Sequence, residues 1–208
     1  MTLSTVEILI LFLVLMGPTK ALIVYAGLTA SMEPSQRRKV AIRTVVIASA
    51  VTFLFLWAGE AIIASIHVQI PALKIAGGII LLLFALGLVL GDGHDDHADT
   101  GHDIAAFPLA MPLIASPQGI VILITFAAAA NQRGLSMMPL YLLLGVTMVI
   151  NLVVLLAGSK ILKYIPAAAL MVMMKIAGVL LTALAVQLIL WGMGDLGLVP
   201  PMTAKGHG

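Results

Sequence analysis

The sequence has no cysteine, which removes disulfide bridges, thiolate nucleophiles and zinc–thiolate centres together. It is also poor in charge. Asp, Glu, Lys and Arg make up 10% of the residues, where an ordinary soluble domain carries about a quarter, and 62% are hydrophobic. That balance excludes a water-soluble fold. The formal net charge of +2 rests on few residues gathered at the edges of apolar runs, as membrane proteins usually carry their basic side chains, and points to no nucleic-acid partner. Residues Met1 to Glu7 lack a basic leader region, and no small-residue cleavage signal follows the first apolar run, so that run is expected to be a retained helix. No enzyme is expected. The serines and histidines form no nucleophile-and-base arrangement, no helix carries ligand-spaced histidines or aspartates, and no cofactor is implied.

What the chain does contain is long apolar runs. Its 208 residues have room for six membrane spans, each needing about 20 apolar residues to cross about 30 Å of hydrocarbon. Apolar runs between polar breaks place the spans near 5–29, 40–66, 71–90, 106–130, 137–160 and 168–191. Arg37, Arg38, Lys39 and Arg43 crowd the loop after the first span, and Lys160, Lys163 and Lys175 surround the loop before the sixth. The opposite side receives only Lys74, Arg133 and Lys205. The bias of basic residues toward the cytoplasm then predicts that both termini lie on the periplasmic side of a bacterial inner membrane.

The two halves share landmarks about 100 residues apart. Gly17-Pro18 falls inside the first span and Ser116-Pro117 inside the fourth; Thr52 and Asn151 are the central polar residues of the second and fifth; Lys74-Ile75-Ala76-Gly77 opens the third as Lys175-Ile176-Ala177-Gly178 opens the sixth. Three spans per repeat make the second repeat enter from the opposite face. The expected fold is therefore all-α: six transmembrane helices as two inverted three-helix repeats, residues 1–90 and 106–208, joined by a polar cytoplasmic linker at 91–105, with the first and fourth helices broken mid-membrane.

Proline lacks the backbone donor and interrupts a helix unless it opens a new one. Gly17 can take up helix-closing conformations, Ser116 is a good N-cap, and proline is favoured at the first helical position, so each break predicts two half-helices. Their exposed N–H groups, each carrying about half a positive charge, suit a carboxylate. The candidate substrate site is Gly17, Pro18, Thr19 and Lys20 with Ser116, Pro117, Gln118 and Gly119, and with Thr52 and Asn151 facing a bound amino group or packing across helices. A lysine near the bilayer centre costs about 3 kcal/mol or more unless solvated or paired, so Lys20 either faces a polar cavity and a substrate carboxylate or snorkels to the interface. Glu60 is a candidate coupling group, or else a solvated residue near the outer surface. The Ala76-Gly77-Gly78 and Ala177-Gly178 clusters read as helix packing, and Trp57 and Trp191 as anchors at span ends. The linker holds three histidines and five aspartates; His94, Asp95, His97 and His102 are candidate ligands for a divalent metal, while a solvated tether accounts for the same composition.

Several stretches together resemble the MarC family of bacterial inner-membrane proteins, also described as small neutral amino acid transporters of the lysine-exporter superfamily. They are Leu11 to Leu28 with its internal proline, Pro34-Ser35-Gln36-Arg37-Arg38-Lys39, Leu73 to Leu90, and Pro108 to Pro117. The resemblance covers nearly the whole chain. Members typically carry Asn-Pro-x-Gly at the first break and Gly-Pro-Gly at the second, where this chain has Gly17-Pro18-Thr19-Lys20 and Ser116-Pro117-Gln118-Gly119. What the resemblance implies is a secondary transporter or exporter of small neutral amino acids or related carboxylates. Its partners would be a small-molecule substrate and the bilayer. The rivals are a divalent metal exporter using the His/Asp loop and a membrane protein that transports nothing; the oligomeric state is left open.

Overall fold

The computed structural model describes residues 4–90, 103–161 and 166–200, and among these every regular element is helical. The elements are α1 (Thr5–Met16), α2 (Pro18–Leu28), α3 (Pro34–Ser65), α4 (Ile70–Leu90), α5 (Ala105–Ile114), α6 (Pro117–Gln132), α7 (Met138–Ile161) and α8 (Ala167–Asp195). Short local signals set where they start. Ser4 and Glu7 form a reciprocal capping box on α1, the Ser4 Oγ accepting from the Glu7 N–H at 3.3 Å and the Glu7 carboxylate accepting from the Ser4 N–H at 2.7 Å. Pro18, Pro34 and Pro117 each occupy the first helical position, where a missing N–H costs nothing.

Five stretches are long and apolar enough to span a membrane: Thr5–Leu28, Pro34–Ser65, Ile70–Leu90, Met138–Gly158 and Met171–Asp195. The pair α5 and α6, bent by 56°, makes a sixth if counted as one span. The protein is a multi-pass integral membrane protein. Two boundaries differ from the apolar runs: α3 begins at Pro34 and not near residue 40, and α8 runs on to Asp195. The first extension is polar and the second rich in glycine, so a hydropathy window discards both, but each continues the hydrogen-bonded ladder of its helix. Val14, Leu83, Leu142, Val153 and Leu180 are well exposed, as side chains facing lipid would be, while Phe12, Tyr25, Leu56, Leu144 and Leu181 fill the interior.

Small residues set how close the helices come. α4 and α8 run antiparallel, with the Gly78 Cα against the Ala185 carbonyl and Ile189, and Gly178 against the Ala85 carbonyl and Leu88. Lys74 and Asp195 pair at 2.5 Å at one end of this couple. Around it, α3 packs on α5, α6 and α7, while α7 also packs on α1 and α2. The Gly77 Cα lies against Pro117, which fixes the start of α6 to α4. Trp57 and Trp191 are exposed, as side chains anchoring at an interface would be.

Candidate substrate site

The ladder of α1 ends at Met16, Gly17 takes an extended conformation (φ −81°, ψ 168°), and α2 restarts at Pro18. Gly17 was expected to help close the helix by its conformational freedom; its dihedrals are ones any residue adopts. It is glycine for want of room: a Cβ there would lie 1.7 Å from the Leu13 carbonyl oxygen. At the second interruption Ser116 is likewise extended (φ −70°, ψ 147°) and caps α6, its Oγ accepting from the Gly119 N–H at 3.2 Å. The segment before it is irregular because Phe107 (φ −132°, ψ 127°) and Met111 (φ −125°, ψ 128°) precede Pro108 and Pro112, and a residue before proline is driven out of helical space.

The two interruptions touch. The Ser116 hydroxyl donates to the Leu15 carbonyl at 2.8 Å, and the same carbonyl accepts from the Lys20 ammonium at 2.7 Å. Asn151, fully buried on α7, donates through Nδ2 to the Met16 carbonyl at 3.0 Å and to the Thr147 carbonyl at 2.9 Å. Gly119 lets the first turn of α6 lie on Met16, since a Cβ would approach the Met16 Cγ to 2.4 Å. The last two carbonyls of α1, which have no partners within their own helix, are thus satisfied by α2, α6 and α7. Two buried polar atoms here have no partner: Asn151 Oδ1 and Gln118 Nε2. An acceptor and a donor left bare in this way are costly unless something binds them.

Lys20, Ser116, Gly119 and Asn151 are therefore drawn into one junction with Gly17, while Pro18 and Pro117 open the helices that leave it. Thr19 is exposed. Thr52 is buried, yet its hydroxyl donates to the Ala48 and Ser49 carbonyls of its own helix at 2.8 and 3.2 Å and not to the junction. Glu60 stands apart as well, exposed, with the Asn131 amide 3.5 Å from its carboxylate. It lines a cleft of about 630 Å³ between the C-terminal ends of α3 and α6, shared with His67, Gln69, Thr125 and Gln132. His94, Asp95, His97 and His102 lie outside the described residues, and among the described residues no three His, Asp or Glu side chains gather closely enough to hold a metal ion. Sequence reasoning missed the Leu15 and Met16 carbonyls as acceptors, although any interrupted helix must expose its last carbonyls.

With this geometry in place, comparison with known proteins decides the family. Residues 3–196 match the model of the family described as MarC family integral membrane protein. The chain belongs to the MarC family. A UPF0056 membrane protein of Methanocaldococcus jannaschii is 33% identical over 188 residues, covering 86% of this chain and 90% of its own. The UPF0056 inner membrane protein YhgN of Escherichia coli K12 is 30% identical over 186 residues, covering 88% and 92%. A UPF0056 membrane protein of Aquifex aeolicus is 27% identical over 192 residues, covering 88% and 89%. No solved structure matches the chain. Membership in MarC establishes an integral membrane protein and leaves its activity to be argued from the junction.

Proposed function

We propose that this MarC protein is a secondary transporter or exporter of small neutral amino acids or related small carboxylates, which bind at the junction of the two helix interruptions. One observation carries the reading: Asn151 Oδ1 and Gln118 Nε2, buried and without a partner, belong to residues of the junction that also holds the Lys20 ammonium. An acceptor for an ammonium and a donor for a carboxylate match a zwitterion. The charge balance agrees. The N-termini of α2 and α6 each contribute about half a positive charge, the C-terminus of α1 about half a negative one, and Lys20 a full positive charge, so an anionic group is favoured. The compact junction leaves little room for a large side chain: Gly17 and Gly119 have no space for even a Cβ. The cleft beside Glu60 is lined by α6 residues from Gln132 back to Ile124, about 10 Å along the helix from Pro117 at 1.5 Å per residue, and would serve as the outer approach.

Alternating access follows from an inverted repeat, and paired contacts support one. Gly78 meets Ala185 and Ile189 as Gly178 meets Ala85 and Val89, and Gly59 of α3 meets Ile124 of α6 as Gly158 of α7 meets Leu22 of α2, each set about 100 residues from its counterpart. Rocking of one repeat against the other would expose the junction to each face in turn. Basic Arg38 and Lys39 lie on the cytoplasmic side in this scheme, and both termini in the periplasm. The test is uptake and counterflow of radiolabelled alanine, glycine and serine in proteoliposomes, with the full chain and with residues 92–103 deleted. Saturable amino acid exchange in both is expected. Loss of metal tolerance on deletion, with no amino acid exchange in either protein, would favour a metal exporter.

A further inference from the structure

Three donors from separate segments close on the last two carbonyls of α1, and only one of them, the Lys20 ammonium, carries a charge. Among the described residues Lys20 makes no ion pair; the two ion pairs there are Arg43 with Asp103 and Lys74 with Asp195. Its partner is a backbone oxygen at the negative end of a helix. We infer that the Lys20 ammonium occupies the place of a soluble coupling cation, so that this protein works without a sodium gradient.

The surrounding atoms are those a small monovalent cation would choose. Carbonyls at the C-terminal end of an interrupted helix are standard ligands for sodium in transporters with discontinuous helices. The Leu15 and Met16 carbonyls, the Ser116 hydroxyl and the unpartnered Asn151 Oδ1 are all neutral oxygens from the same junction. The ammonium holds the Leu15 carbonyl at the end of α1 and so ties the start of α2 back to it. Lys20 does so from five residues along the chain, reaching back past the extended Gly17. A tethered ammonium cannot diffuse away, so it stays with the protein through the transport cycle. The inference rests on taking the junction as the translocation site, but it makes a separate demand: removal of the ammonium leaves the Leu15 carbonyl and its neighbouring oxygens without their cation, and sodium should enter in its place.

The experiment compares melting of the purified full-length protein in sodium chloride and in N-methylglucamine chloride at equal ionic strength. Wild type and Lys20→Arg should melt at the same temperature in both salts. Lys20→Ala should melt lower in N-methylglucamine and recover by several degrees as sodium is added, reaching saturation. Lys20→Gln, which keeps a donor and loses the charge, should respond in the same way and decides the question if Lys20→Ala does not fold. A saturable sodium-dependent rise in wild type would overturn the inference. So would Lys20→Ala and Lys20→Gln proteins that melt identically in both salts. No amino acid flux enters this readout, so the inference and the transport reading fail separately.

Discussion

Ser116 uses one hydroxyl twice, accepting from the Gly119 N–H and donating to the Leu15 carbonyl, so it caps α6 and fastens α6 to α1. Ser116→Ala should cost about 1–2 kcal/mol, read as a lower melting temperature in detergent, and Ser116→Thr should recover most of it. Gly17→Ala should be worse, because the new methyl would lie against a backbone carbonyl that cannot move without moving α1. Expression and monodisperse recovery of Gly17→Ala comparable to wild type would contradict that. Much of this site was legible from residue types alone. Gly-Pro and Ser-Pro mark interruptions because the rules for proline and for N-caps are local. Lys20 was harder to place, since its partner is a backbone atom made available by the interruption itself. Asn151 was recognised as polar and central, but its bond to Met16 spans 135 residues of sequence, and no local pattern reports it. Thr52 looked equivalent to Asn151 and is not: a short hydroxyl bonds back to its own helix, whereas an amide reaches across.

Among the helices, the tightest demand falls on α4 and α8. A methyl at Gly78 would lie 2.9 Å from the Ala185 carbonyl and 3.2 Å from the Ile189 nitrogen, both backbone atoms, so the helices must part. Gly78→Ala should destabilise by about 1–3 kcal/mol. Gly87, on the same helix, has nothing within 4 Å of a built Cβ, and Gly87→Ala should be neutral or stabilise by up to about 1 kcal/mol. Equal thermal stability of the two variants would remove the packing argument. The small-residue clusters were readable as packing because lipid offers no hydrophobic drive and close backbone approach must supply the attraction. The partner helix was less readable: residue type says that a glycine packs closely, not against what. The irregular α5 shows the same division: its prolines are evident in sequence, whereas the 56° bend to α6 and the packing of α5 on α3 are not.

At the scale of the whole molecule, the orientation in the membrane is predicted from the basic residues Arg37, Arg38, Lys39 and Arg43 in the first turns of α3. The lack of native cysteine makes this directly measurable. Arg38→Cys should stay unlabelled by a membrane-impermeant thiol reagent added to intact cells, and Gln69→Cys, between α3 and α4, should be labelled; the reverse pattern would invert the topology. Five spans, and a sixth if the bent α5–α6 pair counts as one, were visible from hydropathy because each apolar run is about as long as the hydrocarbon is thick, whereas the contact between the two interruptions emerges only when the halves pack together. The central claim, that this contact is where a small zwitterion is held during translocation, is tested most directly by alanine counterflow in proteoliposomes containing wild type or Asn151→Ala. Saturable exchange by wild type, reduced at least about tenfold in the variant through loss of the ammonium acceptor, is the expected result. Exchange by a folded Asn151→Ala protein at the wild-type rate and half-saturation, or no alanine exchange by wild type, would contradict it.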